Sequence, residues 1–259
     1  MTFNYRTVIS NFFGILPKKV KKSVQSVIDG GCATPLDVDR AEQIFYVNYL
    51  QEGMIVFDVG ANIGEMTLLF SHFSGVDGRV FSFEACSTTF KAFESNCRVC
   101  GRKNIYPNNL AVSDKIGFVD FHVYPDEYSG WNTLADRPLE NYGVHIKPSR
   151  CERVQSTTID RFCEEHNIKN IDLLKIDVEG AEYQVLLGAE RMLRQKAIKC
   201  CVFEFGSTTF DMGNTPEQIE NYLTHLEYSI RNIVPGNPSF PGRRNATEAR
   251  FSIHVAEPV

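Results

Sequence analysis

Two stretches of this 259-residue chain carry side chains of the types and spacing that chemistry requires. Lys175-Ile-Asp-Val-Glu-Gly-Ala-Glu182 sets a lysine and acids beside a glycine at the end of an apolar run. Val56-Phe-Asp-Val-Gly-Ala-Asn-Ile-Gly64 has the form of a strand running into a glycine-rich turn and then a helix. Glycines at 60 and 64 let the backbone turn sharply and let a ligand approach the amides, which a Cβ would obstruct. Glu84 follows Gly64 by twenty residues, at the end of a second apolar strand, where a carboxylate can accept both hydrogen bonds of a ribose diol.

The turn departs from the dinucleotide fingerprint G-x-G-x-x-G, because counting from Gly60 the later glycine places hold Asn62 and Glu65. Asp58, two residues before Gly60, would repel a pyrophosphate and attract an ammonium group, directly or through water. The pattern therefore favours a nucleotide-type cofactor with a cationic amino-acid end. In the other stretch, Asp172 to Asp177 reads as a strand with Asp177 at its carboxyl end, the edge where open α/β sheets bind ligands. Lys175 and Asp177 share one face of that strand. Glu182, at the start of the following helix, reads as a cap that favours the helix dipole.

These side chains need a frame of buried parallel strands. Continuous apolar runs predict strands over 55–59, 79–84, 105–110, 172–177 and 199–205, with helices over 65–72, 87–100, 159–166 and 182–194 between most of them. A further helix is expected over 39–50, ahead of the first strand. Thr215-Pro216 is an N-cap and N1 signature for a helix to about residue 226. Segments 228–234 and 250–255 read as a closing antiparallel pair. Residues 117–158 break the alternation, with antiparallel strands around a polar loop, and read as an insertion at the rim where substrates bind. The expected organisation is an N-terminal helical extension over 1–50 and a doubly wound domain over 51–259.

Composition narrows the function. The net charge is -5, so nothing steers the chain toward a phosphate backbone, and nucleic acid is not expected as a partner. Hydrophobic residues make up 43%, enough for a full core. The 8 cysteines lack a disulfide framework, and Cys97-Arg-Val-Cys100 has no second pair for zinc, which fits a reducing, cytoplasmic setting. No apolar run approaches the ~18 residues a membrane span needs. Phe12-Phe-Gly-Ile-Leu16 followed by Lys18, Lys19, Lys21 and Lys22 reads as a helix packed on the domain, with contact at a membrane surface as the alternative.

The ordered set F-D-V-G-A-N-I-G-E-M-T, F-S-F-E-A, N-L-A-V-S-D, T-T-I-D-R-F, L-L-K-I-D-V-E-G-A-E-Y-Q-V-L-L-G-A and F-E-F, from about Gly53 to Phe205, resembles the FkbM family of S-adenosylmethionine-dependent methyltransferases. The resemblance implies an α/β, mostly parallel seven-stranded sheet whose last strand is antiparallel. It implies that Asp58, Gly60, Asn62, Gly64 and Thr67 surround the methionine portion of S-adenosylmethionine, that Glu84 holds the ribose, and that Asn109 to Ala111 border the adenine. It also implies O-methylation of a hydroxyl on a sugar, glycan or small secondary metabolite. For that reaction Asp177 is the first candidate for base or acceptor-positioning group, with Lys175, Glu179, His145 and Glu204 behind it. Asp177, Glu179 and Glu204 could alternatively hold Mg²⁺. Trp131, Tyr128 and Tyr142 in the inserted loop could stack on a ring. The rival readings are a non-catalytic binding module and methylation of protein or RNA.

Overall fold

A computed structural model describes residues 35–259. The segment around Phe12 to Lys22, expected as a helix packed on the domain with membrane contact as the alternative, lies outside the described residues. The chain builds a seven-stranded sheet in the order β3-β2-β1-β7-β8-β10-β9. Its strands are β1 Ile55–Val59, β2 Arg79–Phe83, β3 Ile105–Asn108, β7 Leu173–Ile176, β8 Cys201–Phe205, β9 Tyr228–Asn232 and β10 Ser252–Pro258. Strand β10 runs antiparallel to both neighbours, β8 and β9, as the closing pair predicted. Order reverses at β1, whose two parallel neighbours are β2 and β7. That switch point is where ligands enter open α/β sheets.

The central strands β1, β2, β7 and β8 are buried almost throughout because helices cover both faces. One face stacks Phe57, Phe81, Phe83, Leu174, Ile176 and Phe203 in a single cluster with Phe162, Val185 and Leu186. Those partners come from α4 Ile159–Glu165 and α5 Glu182–Leu187. The other face buries Val56, Val80, Leu173 and Val202 against Tyr46, Leu50 and Phe70. Tyr46 lies on α1 Pro35–Tyr49 and Phe70 on α2 Glu65–Phe73, so α1 packs directly on the sheet. Burying one such aromatic side chain contributes roughly 1.5–3 kcal/mol.

The expected helix over 182–194 is instead two, α5 and α6 Glu190–Arg194, broken at Gly188-Ala189. A Cβ on Gly188 would stand 2.1 Å from the Ser113 carbonyl oxygen, so the backbone approach there needs glycine and the helix is interrupted to make it. Helix α3 Ser87–Cys100 keeps the predicted bounds. After β8 the chain forms α7 Ser207–Asp211 and then α8 Pro216–His225, whose start carries the Thr215–Gln218 capping box.

The insertion folds as a second, three-stranded sheet in the order β4-β6-β5, from β4 Ala111–Val112, β5 Gly117–Val123 and β6 Arg150–Thr157. Between β5 and β6 lie two 3₁₀ turns, Asp126–Trp131 and Leu139–Tyr142. This segment leans over the switch point of the main sheet.

Candidate active site

Strand register decides which polar side chains meet. Asp58 on β1 sits opposite Ser82 on β2 and Lys175 on β7, so three polar groups form a row across the middle of an otherwise apolar face. Asp58 and Ser82 are fully buried and Lys175 is 4% exposed. Buried charges persist only when paired. Lys175 Nζ lies 2.8 Å from Asp177 Oδ2 and 3.6 Å from Asp58 Oδ1. Asp58 Oδ2 accepts from Thr67 Oγ1 at 2.5 Å. Glu42 on α1 lies close enough to add its field, and it accepts from the Tyr46 hydroxyl at 2.6 Å. Burial works against the lysine's charge, but Asp177, Asp58 and Glu42 outweigh it and hold the ammonium well above its ordinary range.

Beyond this row, at the carboxyl ends of β2, β1, β7 and β8, lies a cavity of about 210 Å³. Its walls include Gly60, Asn62, Glu84, Ala111, Asp177, Glu179 and Glu204, with Ser129, Gly130, Asn132 and Leu134 from the inserted segment. Gly60 has φ +84°, and a Cβ there would lie 1.7 Å from the Asp177 carbonyl oxygen. The glycine thus lets the first turn and the Asp177 turn close on each other. Glu84 is 7% exposed. One of its oxygens accepts from Asn62 N at 3.0 Å and the other from Cys86 N at 2.8 Å, which fixes the carboxylate while leaving lone pairs toward the cavity. Burial pushes its pKa up to about 7, against those two amides. Asn62 Oδ1 is buried without a hydrogen-bond partner.

Asp177, Glu179 and Glu204 bring carboxylate oxygens within 4.8 Å of one another. Burial, reinforced by Asp177, pushes Glu179 up to about 8, with Arg137 opposing. Burial and the same acidic neighbours raise Glu204 well above the carboxylate range. Repulsion among acids this close adds to burial and favours the protonated forms of Glu179 and Glu204. Glu182 turns inward, its Oε1 accepting from Gly180 N at 3.0 Å and Val178 N at 3.3 Å, and so fastens the turn that carries Glu179.

The structure separates the expected site residues into two shells. Gly60, Asn62, Glu84, Ala111, Asp177 and Glu179 border the cavity. Asp58, Thr67 and Lys175 do not border it; Asp58 faces Lys175, its neighbour in the register. Gly64 caps α2, where a Cβ would strike the Phe93 ring at 2.4 Å. Asn109 does not border the cavity; its Nδ2 donates to the carbonyls of Glu84 and Ala85 and steadies the strand end instead. His145 is exposed on the insertion, away from the cavity walls. Trp131 and Tyr128 pack against each other with rings tilted by 38° and centroids 4.9 Å apart, and neither borders the cavity. Arg137 and Asn132 were not anticipated, since the insertion shows no periodicity to place them.

The description "Methyltransferase FkbM domain" fits residues 58–230, from the buried aspartate of β1 through β9. The chain belongs to the FkbM methyltransferase domain family. It is 34% identical over 164 residues to 31-O-demethyl-FK506 methyltransferase FkbM of Streptomyces tacrolimicus, covering 54% of this chain and 61% of that protein. It is 26% identical over 147 residues to the 2-O-methyltransferase NoeI of Sinorhizobium fredii, covering 54% of this chain and 58% of that one. The chain thus spans less than two thirds of these relatives. A solved structure, methyltransferase FkbM from Methylobacillus flagellatus KT, is similar with a TM-score of 0.47 and 12% identity, over 92% of this chain and 59% of that one. No helix among the described residues is long and apolar enough to cross a membrane.

Proposed function

We propose that this FkbM-family chain transfers a methyl group from S-adenosylmethionine to a hydroxyl of a sugar, glycan or small secondary metabolite. The observation that carries the reading is the convergence of Glu84, Gly60 and Asp177 at the ends of the adjacent strands β2, β1 and β7 around one cavity. The residues fit the cofactor. Every charged group among the cavity's described walls is an acid, namely Glu84, Asp177, Glu179 and Glu204, a set suited to a ligand with a sulfonium and an ammonium. Asn62 Oδ1 is a buried acceptor awaiting a donor, and Glu84 has lone pairs for two hydroxyls. The names of both curated relatives specify O-methylation, which supports oxygen as the acceptor atom.

S-adenosylmethionine, when bound, supplies an electrophilic methyl group open to in-line displacement by an oxygen. Glu84 would bind the ribose hydroxyls and Asn62 would accept from the same ligand. Asp177, pinned by Lys175, orients the acceptor hydroxyl. Glu179, pushed up to about 8 by burial and Asp177, is mostly protonated at neutral pH, and its ionised form, which grows as pH rises toward 8, would take the hydroxyl proton. Phe121, Leu134 and Val59 line the same space with apolar surface.

The direct test is to incubate the full chain with methyl-labelled S-adenosylmethionine and a panel of sugars, glycans and hydroxylated metabolites, reading label transfer by mass. Absence of S-adenosylmethionine binding by calorimetry would favour the binding-module reading instead. Turnover is expected to survive excess EDTA, because Lys175 and Arg137 already offset Asp177 and Glu179. Loss of turnover restored by Mg²⁺ would assign the three carboxylates to a cation.

A further inference from the structure

The inserted segment supplies one wall of the cavity and is tied to the acidic turn by a small set of contacts. Thr133 Oγ1 donates to the Glu179 carbonyl at 2.7 Å. Arg137, whose side chain is only 9% exposed, reaches Glu179 Oε2 at 3.5 Å and Asp211 Oδ2 at 3.5 Å. One guanidinium therefore joins three separate elements: the insertion, the turn after β7 and the end of α7. Its Cζ also lies 5.7 Å from the Trp131 ring centroid. Both ion pairs are at the long limit of contact, so the guanidinium is shared between two acids and is not a tight bidentate clamp on either. Glu179 itself has φ +53°, a left-handed backbone that persists only where its surroundings hold it.

The cavity is small for its proposed task. Sites that enclose a cofactor-sized ligand span roughly 300–1,000 Å³, against about 210 Å³ here. The walls at the ends of β1, β2 and β7 are held by sheet pairing, whereas the insertion, which contributes Ser129, Gly130, Asn132 and Leu134, adds no strand to that sheet. The segment is anchored at its base by the reciprocal His122–Thr133 backbone hydrogen bonds of 2.8 and 3.1 Å. Beyond that base, Arg137 is what joins it to Glu179 and Asp211.

We propose that Arg137 is a positioning residue for the reaction: held by Asp211, it orients Glu179 and draws the segment 124–142 over the cavity. The proposal rests on the reading that the cavity holds S-adenosylmethionine and its acceptor. When ligand enters, Glu179 turns toward it while Asp211 keeps the guanidinium, and the segment re-seats around the larger contents.

The chain contains one tryptophan, Trp131, and it lies in this segment, so its fluorescence reports on the segment alone. Acrylamide quenching of Trp131 is measured in the full chain, in Arg137→Gln, Arg137→Lys and Asp211→Asn, with and without S-adenosylhomocysteine. Asp211→Asn leaves the Arg137 stack on the ring in place and so separates latch release from loss of the stack. Expected are a quenching constant at least twofold higher in Arg137→Gln and Asp211→Asn, partial return in Arg137→Lys, and protection of the wild type by S-adenosylhomocysteine. All four proteins should show the same far-ultraviolet dichroism at the assay temperature. Unchanged quenching in both Arg137→Gln and Asp211→Asn overturns the proposal. So does calorimetric binding of S-adenosylhomocysteine that leaves wild-type quenching untouched. Absence of any such binding rejects the cofactor reading on which the coupling rests, whereas the ligand-free comparison still decides the latch.

Discussion

Replacing Lys175 by methionine tests the buried charge row at its centre. The substitution keeps most of the side-chain volume and removes the cation that stands 2.8 Å from Asp177 and 3.6 Å from Asp58. Breaking a buried pair by deleting one partner costs about 3–5 kcal/mol, because the remaining charge is left uncompensated. Asp58 is fully buried and retains only the Thr67 hydroxyl as a donor, so it bears the larger part. The Asp177 side chain is 35% exposed and recovers some solvation, which places the expectation at the lower end, about 3 kcal/mol. For a domain of this size that corresponds to a melting temperature lower by about 6–12 °C. The loss should shrink at pH 5.5 relative to pH 7.5, because an orphaned carboxyl can take up a proton in place of its lost partner. Urea unfolding at both pH values measures it, with Asp58→Asn in the Lys175→Met background as the rescue. A loss below about 1 kcal/mol, equal at the two pH values, would refute the assignment of Lys175 as the charge that makes the row tolerable.

Gly60→Ala should be more disruptive than any conservative change on the cavity rim, since it adds a contact at 1.7 Å to a left-handed φ; strain and overpacking together predict about 3 kcal/mol or more, read as a thermal shift. An unchanged melting temperature would contradict the close approach of the two turns. Glu84→Gln should weaken S-adenosylhomocysteine binding by about 10- to 100-fold in calorimetry, the worth of one charged hydrogen bond, while the fold survives. Unaltered affinity would remove Glu84 from the ribose. Stability should fall as pH rises from about 4.5 to about 7: burial pushes Glu42, Glu84 and Glu182 each up to about 7, so the folded chain holds protons there that the unfolded chain has released. His254, pushed down to about 3 by burial, opposes this with a single proton below pH 6.5, leaving the three glutamates in the majority. A urea midpoint that climbs between pH 5.5 and 7.5 would show the sign to be wrong.

The five parallel strands lay within two residues of their expected ends and α3 matched at both bounds, while β10 ran three residues past its expected end. The two glycine turns and Glu84 were legible for the same reason: each sits at the end of a buried strand, and a strand's end is marked by the change from apolar to glycine or charge. What could not be read was anything set by register or by the insertion. Asp58 meets Lys175 because β1 and β7 pair as they do, a fact of alignment between strands far apart in sequence. Arg137 joins Glu179 across 42 positions through a segment of turns and bends with neither helical nor strand period. The break at Gly188 depends on the Ser113 carbonyl, which no local pattern announces.

The pairing of β1 with β7 has a bearing on how the chain reaches its working form. Ile55 N donates to Asp172 Oδ2 across 117 positions, and the switch point lies between these two strands. Strands β1, β2 and β3 can assemble through short local crossovers while the chain is still being made. The acid-bearing strands cannot join them until a loop of more than a hundred residues closes, which is entropically slow. During that interval one edge of β1 is an unpaired, largely apolar template for other chains. A nascent chain stalled before residue 172 therefore displays an adhesive edge with half a cleft beside it, and binding competence arrives in one step when β7 slots in. Chaperone demand should peak in that window of synthesis, and mutations that slow β7 docking should lower yield more than they lower the stability of whatever does fold.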